Sequence, residues 1–149
     1  MRITIKSNKV PSQYKNANVV VTNRSPITGD QDFWFGNWSF DNTGKLTVYL
    51  EKKFVDAANA KNKAHYVQET IGHEYYEAYV ALDLAKQRLS SKGIKNPSWE
   101  NIIRLIDNSD IGGQAHTKTC EEYDGMSELE VDKHLSAMIK DLDLKMDPF

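Results

Sequence analysis

One imidazole and two carboxylates stand within five residues in Thr70-Ile71-Gly72-His73-Glu74-Tyr75-Tyr76-Glu77-Ala78-Tyr79. On a helix, His73 and Glu77 lie one turn apart on the same face. Glu74 sits about 100° round from His73. An imidazole and a carboxylate at that spacing can grip one divalent cation from a single turn. A second carboxylate beside the first ligand is placed to take a proton from a water that the cation holds. No other stretch of the chain combines residue types, spacing and a helical setting in this way.

Zinc usually takes a third protein ligand and, at a catalytic site, keeps water in the fourth position. His116 is the candidate, following Gly112-Gly113-Gln114-Ala115 at the start of a later helix. Cys120, at i+4 from His116, offers a fourth ligand that would close the site and make it structural. It also reads as a small buried hydrophobe. Glu121 or Glu122 could instead orient an imidazole from behind. Tyr75, Tyr76, Tyr79 and Tyr123 are four possible hydrogen-bond donors to an oxyanion, and the sequence does not choose among them.

The elements that must position these groups change character along the chain. Residues 2–6 and Asn18–Thr22 read as strands. Asn23–Asp32 is rich in turn formers. The aromatic run from Phe33 to Phe40 and the alternating Leu46–Leu50 form an expected hairpin across Asp41-Asn42-Thr43-Gly44. A bulge at Gly36-Asn37 would account for a shift of phase in the aromatics. Glu51–Lys53 could extend the second strand, and Asp56–Lys63 reads as a helical turn or a loop.

From His65 to about Leu89, Val67, Ile71, Tyr75, Ala78, Leu82 and Ala85 trace an apolar stripe at helical spacing. Gly93 suits the position just past its end. Pro97 suits the first turn of a second helix, with Ile102, Ile103, Leu105 and Ile106 on its buried side. Asn108–Gly113 reads as a loop, Gln114 to about Tyr123 as a helix, and Ser127-Glu128-Leu129-Glu130 as a capped restart. Asp147-Pro148-Phe149 reads as a frayed end. The expectation is one α+β domain over residues 1–149, strand-rich over 1–54 and helical over 64–146. Its small antiparallel sheet packs on three or four helices.

His73-Glu74-Tyr75-Tyr76-Glu77 resembles a variant of the zincin metallopeptidase motif HExxH. The strand at residues 46–50, ahead of the helix, resembles the edge strand that zincins carry beside their active helix. The short HExxE pattern, followed later by Ala115-His116, is also similar to small zincin-like proteins of phage and mobile-element type. The resemblance implies His73 as first metal ligand and Glu74 as general base. The second ligand of the motif falls on Glu77, a departure that adds negative charge and bears on both metal preference and catalysis.

Composition narrows the classes. Lysine and arginine total 19 against 21 aspartate and glutamate, so no basic excess argues for nucleic acid. No apolar run approaches ~20 residues, so no membrane span is expected. Cys120 is the only cysteine, which rules out an intrachain disulfide. The first residues lack the apolar core of a signal peptide, and a cytoplasmic setting is expected.

Plainer readings stand beside the metal site. His73 and Glu77 also read as a solvated i, i+4 pair. Glu69 at i−4 could pair with His73. His65 has no supporting constellation, and Glu130 with His134 lacks the Glu-x-x-His spacing of paired-helix di-metal sites. The aromatics Phe33, Trp34, Phe35, Trp38 and Phe40 read as a sheet core or as a surface for a protein partner.

The leading expectation is a zincin-like, zinc-dependent hydrolase acting on a peptide or protein. His73, Glu77 and His116 hold the metal and Glu74 is the base. The alternative is a non-enzymatic, phage-type interaction protein on a degenerate zincin scaffold, with a structural metal or none.

Overall fold

Alternation along Leu46-Thr47-Val48-Tyr49-Leu50 puts three apolar side chains on one face of a strand, and the core forms there. The computed structural model describes residues 2–4, 16–23 and 35–144. Its strands are β1 (Arg2–Thr4), β2 (Asn16–Thr22), β3 (Gly36–Phe40) and β4 (Leu46–Glu51), in sheet order β1-β2-β4-β3. Leu46, Val48 and Leu50 are buried. The helices are α1 (Lys52–Ala60), α2 (Ala64–Ser91), α3 (Trp99–Asp107), α4 (Ile111–Thr119) and α5 (Glu128–Asp141). A π-helical turn, Cys120–Asp124, continues α4. The class is α+β, as the order of the segments predicts.

Several expectations need correction. β3 and β4 form the expected hairpin, but pairing runs unbroken from Gly36↔Leu50 to Phe40↔Leu46, so there is no bulge at Gly36-Asn37. The sheet is mixed rather than antiparallel, because β2 lies parallel to β4. β3 folds back along one side of β4 and leaves the other side to β2. Strand 46–50 is therefore interior, and β3 is the edge strand beside the long helix. Phe33 and Trp34, most of the Asn23–Asp32 segment, and Asp147–Phe149 lie outside the described residues.

The helix count is also higher than expected. β4 ends at Glu51 and the chain turns straight into α1, since Phe54 and Ala58, one turn apart, both bury completely. Helix α4 begins at Ile111, so Gly112 and Gly113 are helical rather than loop. Each glycine costs about 1 kcal/mol of helix propensity. The fully buried Ile111 and Ala115 outweigh that cost. Ser98 caps α3 by accepting from the Asn101 N–H, leaving Pro97 just outside the first turn. Ser127 and Glu130 make the expected reciprocal capping box of α5.

Helix α2 is the axis of the molecule. It packs against β3, β4, α1, α3, α4 and the π turn. The apolar stripe read from the sequence is buried at Val67, Ile71, Tyr75, Ala78, Leu82 and Ala85. Burial extends further round the helix to Thr70, Gly72, Tyr76, Val80 and Ala81. In its middle turns, His73, Glu74, Glu77 and Tyr79 are left half-buried. No helix among the described residues is long and apolar enough to cross a membrane.

The β3–β4 turn holds the edge strand to the rest. Asp41 Oδ1 accepts from the Thr43 and Lys45 backbone N–H groups, each at 2.9 Å. Gly44 has φ +85°, and a Cβ there would overlap the Trp99 indole. Gly93 also has a positive φ, +87°, but open space around it. Gly93→Ala is expected to cost about 1–2 kcal/mol for the left-handed backbone alone. Gly44→Ala should cost that plus about 1–3 kcal/mol for displacing Trp99. Urea unfolding of the two variants checks the difference.

Candidate metal centre

The strip of α2 that the core leaves uncovered faces α4 and the edge strand. His73, Glu77 and His116 each direct one ligating atom to a common point, and those atoms lie within 4.8 Å of one another. Glu77 Oε2 is 3.2 Å from His73 Nε2 and 3.0 Å from His116 Nδ1. Ligands at zinc bond lengths around a tetrahedral ion sit roughly 3.3 Å apart. The two distances to Glu77 suit one small cation, and the group could hold a metal ion. The sequence brings together these same three residues.

Each ligand is braced from behind. Asp124 Oδ2 accepts from His73 Nδ1 at 2.6 Å, leaving Nε2 aimed at the centre. A carboxylate on the far nitrogen fixes the ring and raises its basicity. The Trp38 indole N–H donates to Glu77 Oε1 at 3.0 Å. Cys120 Sγ lies 3.7 Å from His116 Nε2, the nitrogen that points away from the centre. Cys120 is therefore behind the ligand and not a fourth ligand. Burial pushes its thiol up to about 11, so it stays protonated.

Asp124 and Trp38 are the two bracing residues that sequence reasoning missed. Glu121 and Glu122 were the expected orienters, yet Glu121 is exposed and Glu122 accepts from the Tyr76 hydroxyl at 2.7 Å. The cause is the π turn. A continued α-helix would carry residue 124 about 40° round from residue 120. The wider turn instead holds Asp124 against α2, and Gly125 at φ +68° closes it. Widened turns of this kind recur at functional sites. Gly72 completes the fit, for a Cβ there would overlap the Tyr123 hydroxyl. Glu69 pairs with His134 at 3.3 Å rather than with His73.

Glu74 lies against the start of β3, where its Cγ is 3.0 Å from the position a Cβ on Gly36 would take. Its carboxyl has no hydrogen-bond partner among the described residues. Burial, reinforced by the charge of Glu77, raises it to about 8. It faces a cavity of about 770 Å³ together with His73, His116, Tyr123 and Asp124. Of Tyr75, Tyr76, Tyr79 and Tyr123, the one that lines this cavity is Tyr123. Glu77 faces a second cleft of about 290 Å³, bounded by Trp38, Phe40 and Ile106.

The charges compensate one another. Burial disfavours the His73 cation, but hydrogen bonds to Asp124 and Glu77 raise it to about 10. Burial likewise disfavours the Glu77 anion, and hydrogen bonds from His116 and His73 hold it down at about 2. The hydrogen bond to Glu77 raises His116 as well.

Two predictions follow from this balance. Asp124→Asn leaves shape intact but removes the charge behind His73, and zinc affinity is expected to fall about 10–100-fold by competition titration. The His73 proton stabilises the metal-free fold fully below the unfolded value near 6.5, and that contribution is lost as pH rises through about 10. Zinc must expel this proton, so affinity should rise with pH between 6 and 9. Calorimetry in buffers of different ionisation enthalpy should show proton release on binding.

Comparison with models of protein families, with curated proteins and with solved structures gives no match.

Proposed function

We propose that the chain is a zinc-dependent hydrolase of zincin-like type that cleaves peptide bonds. The observation that carries this reading is a three-residue group, two of whose members, His73 and His116, line one open cavity with the carboxyl of Glu74, which has no hydrogen-bond partner among the described residues. Two nitrogens and one carboxylate oxygen suit zinc, and three protein ligands leave one position for water. Bound zinc would supply positive charge that brings the pKa of a water towards ~7.

The chain's own groups do the rest. Glu74 takes the water's proton as the oxygen attacks the carbonyl carbon, then delivers a proton to the departing nitrogen. A carboxyl raised to about 8 by burial and by Glu77 suits the second task, and a neighbouring cation opposes both causes to suit the first. Tyr123 lines the same cavity and offers its hydroxyl to the developing oxyanion. The two clefts flank the ligand group on either side. Beside them runs β3, one of the two edge strands of the sheet among the described residues, a template for an extended peptide. This arrangement supports a chain-like substrate over a small molecule.

A second reading draws on the same hydrogen bonds. His73 held between Asp124 and Glu77 is electrostatically complete without metal, which supports a non-enzymatic protein built on this scaffold. The test is metal analysis of untagged protein, beside His73→Ala and Glu74→Gln. The proposal expects about one zinc per chain, lost in His73→Ala and retained in Glu74→Gln. Zinc at 100 times its Kd should stabilise the fold by about 2.7 kcal/mol. Glu74→Gln should lower kcat on a peptide library by about 10²–10⁴. An absence of zinc, with no thermal stabilisation on adding it, would overturn the proposal in favour of the second reading.

A further inference from the structure

The two oxygens of Glu77 have different partners. Oε2 faces both imidazoles, at 3.2 and 3.0 Å. Oε1 accepts from the Trp38 indole N–H at 3.0 Å. That indole is itself held in place. Trp38 pairs with Val48 in the sheet register. Its ring meets Phe40 edge-on at 5.8 Å, and Phe40 packs on Trp99 at 5.4 Å. Trp99 in turn fills the space left by Gly44. An aromatic rail thus runs from the β3–β4 turn to the carboxylate.

Carboxylates bind cations through one oxygen or two. A Glu77 free to turn would present both, giving two nitrogens and two oxygens before any water arrives. Such a site suits ions that accept five or more ligands, including manganese. With Oε1 tied to the indole, only Oε2 is offered, and the protein supplies three ligands with a fourth position left for water. That set suits zinc and four-coordinate cobalt.

We infer that Trp38 is a positioning residue that fixes the coordination number of the centre, and with it the preference for zinc, by holding Glu77 to one oxygen. The inference rests on the metal reading above and deepens it. Trp38 acts through Glu77, and the aromatic rail keeps its N–H from following the carboxylate.

The test compares wild type with Trp38→Phe, which keeps an aromatic ring in the rail and removes the donor. Cobalt(II) is the spectroscopic probe, with zinc and manganese in competition. Wild-type protein is expected to show the intense visible absorption of four-coordinate cobalt. Trp38→Phe, folded by circular dichroism, should lose several-fold in that intensity. Its preference for zinc over manganese should fall about tenfold or more. Equal band intensity and equal preference in the two proteins would overturn the inference while leaving the metal reading intact. If wild type binds no metal at all, both fall.

Should Trp38→Phe fail to fold, the zinc-loaded wild type carries the test. X-ray absorption should then give four light-atom ligands, and the Trp38 indole N–H should stay protected from solvent exchange. Five or more ligands, or an indole N–H exchanging freely, would overturn the proposal.

Discussion

A carboxylate placed inside protein must be met by donors or positive charge, or it destabilises the fold. Glu77 is that carboxylate here, and the arrangement of the other elements follows from satisfying it. The edge strand contributes the Trp38 indole, α2 contributes His73, and α4 contributes His116. Three separate elements therefore converge on one side chain with 14% of its surface exposed. His73 then needs its own counter-charge, which the π turn supplies as Asp124. Removing one partner alone leaves a half-compensated buried ion, the costly case for such networks.

The rest of the fold explains why that convergence holds its shape. Helix α2 is buried over most of the circumference of its middle turns, which holds His73 and Glu77 against α4. The edge strand is fixed at its turn by Asp41 and by Trp99 seated over Gly44. The cavity beside the cluster has an apolar wall on the α5 side, including Val131, Leu135, Met138 and Ile139. Among the described residues its titratable lining is carboxylates, histidines and Tyr123, with no lysine or arginine.

Local signals in the sequence carry much of this. The stripe through Ile71, Tyr75, Ala78 and Leu82 specifies α2 because helical periodicity and burial agree. Ser127 and Glu130 specify their capping box through chemistry confined to four residues. The ligand group was legible because His73 and Glu77 share a turn, and His116 was the histidine whose helix could meet them. What stayed hidden depends on tertiary geometry. Nothing local announces a π turn, so Glu122 looked a better orienter than Asp124. The parallel pairing of β2 with β4 depends on which side of the hairpin the first strands reach. Trp38 looked like core or surface because an indole N–H shows its partner only once β3 lies beside α2.

The central claim is that a cation sits among His73, Glu77 and His116. Anomalous X-ray diffraction at the zinc edge, from crystals grown with one equivalent of zinc, tests it most directly. The account predicts one strong peak about 2.0–2.2 Å from His73 Nε2, Glu77 Oε2 and His116 Nδ1. Asp124 should still lie on the far side of His73, and Trp38 on the second oxygen of Glu77. A peak elsewhere, with His73 still bridging Asp124 and Glu77 by hydrogen bonds, would contradict it.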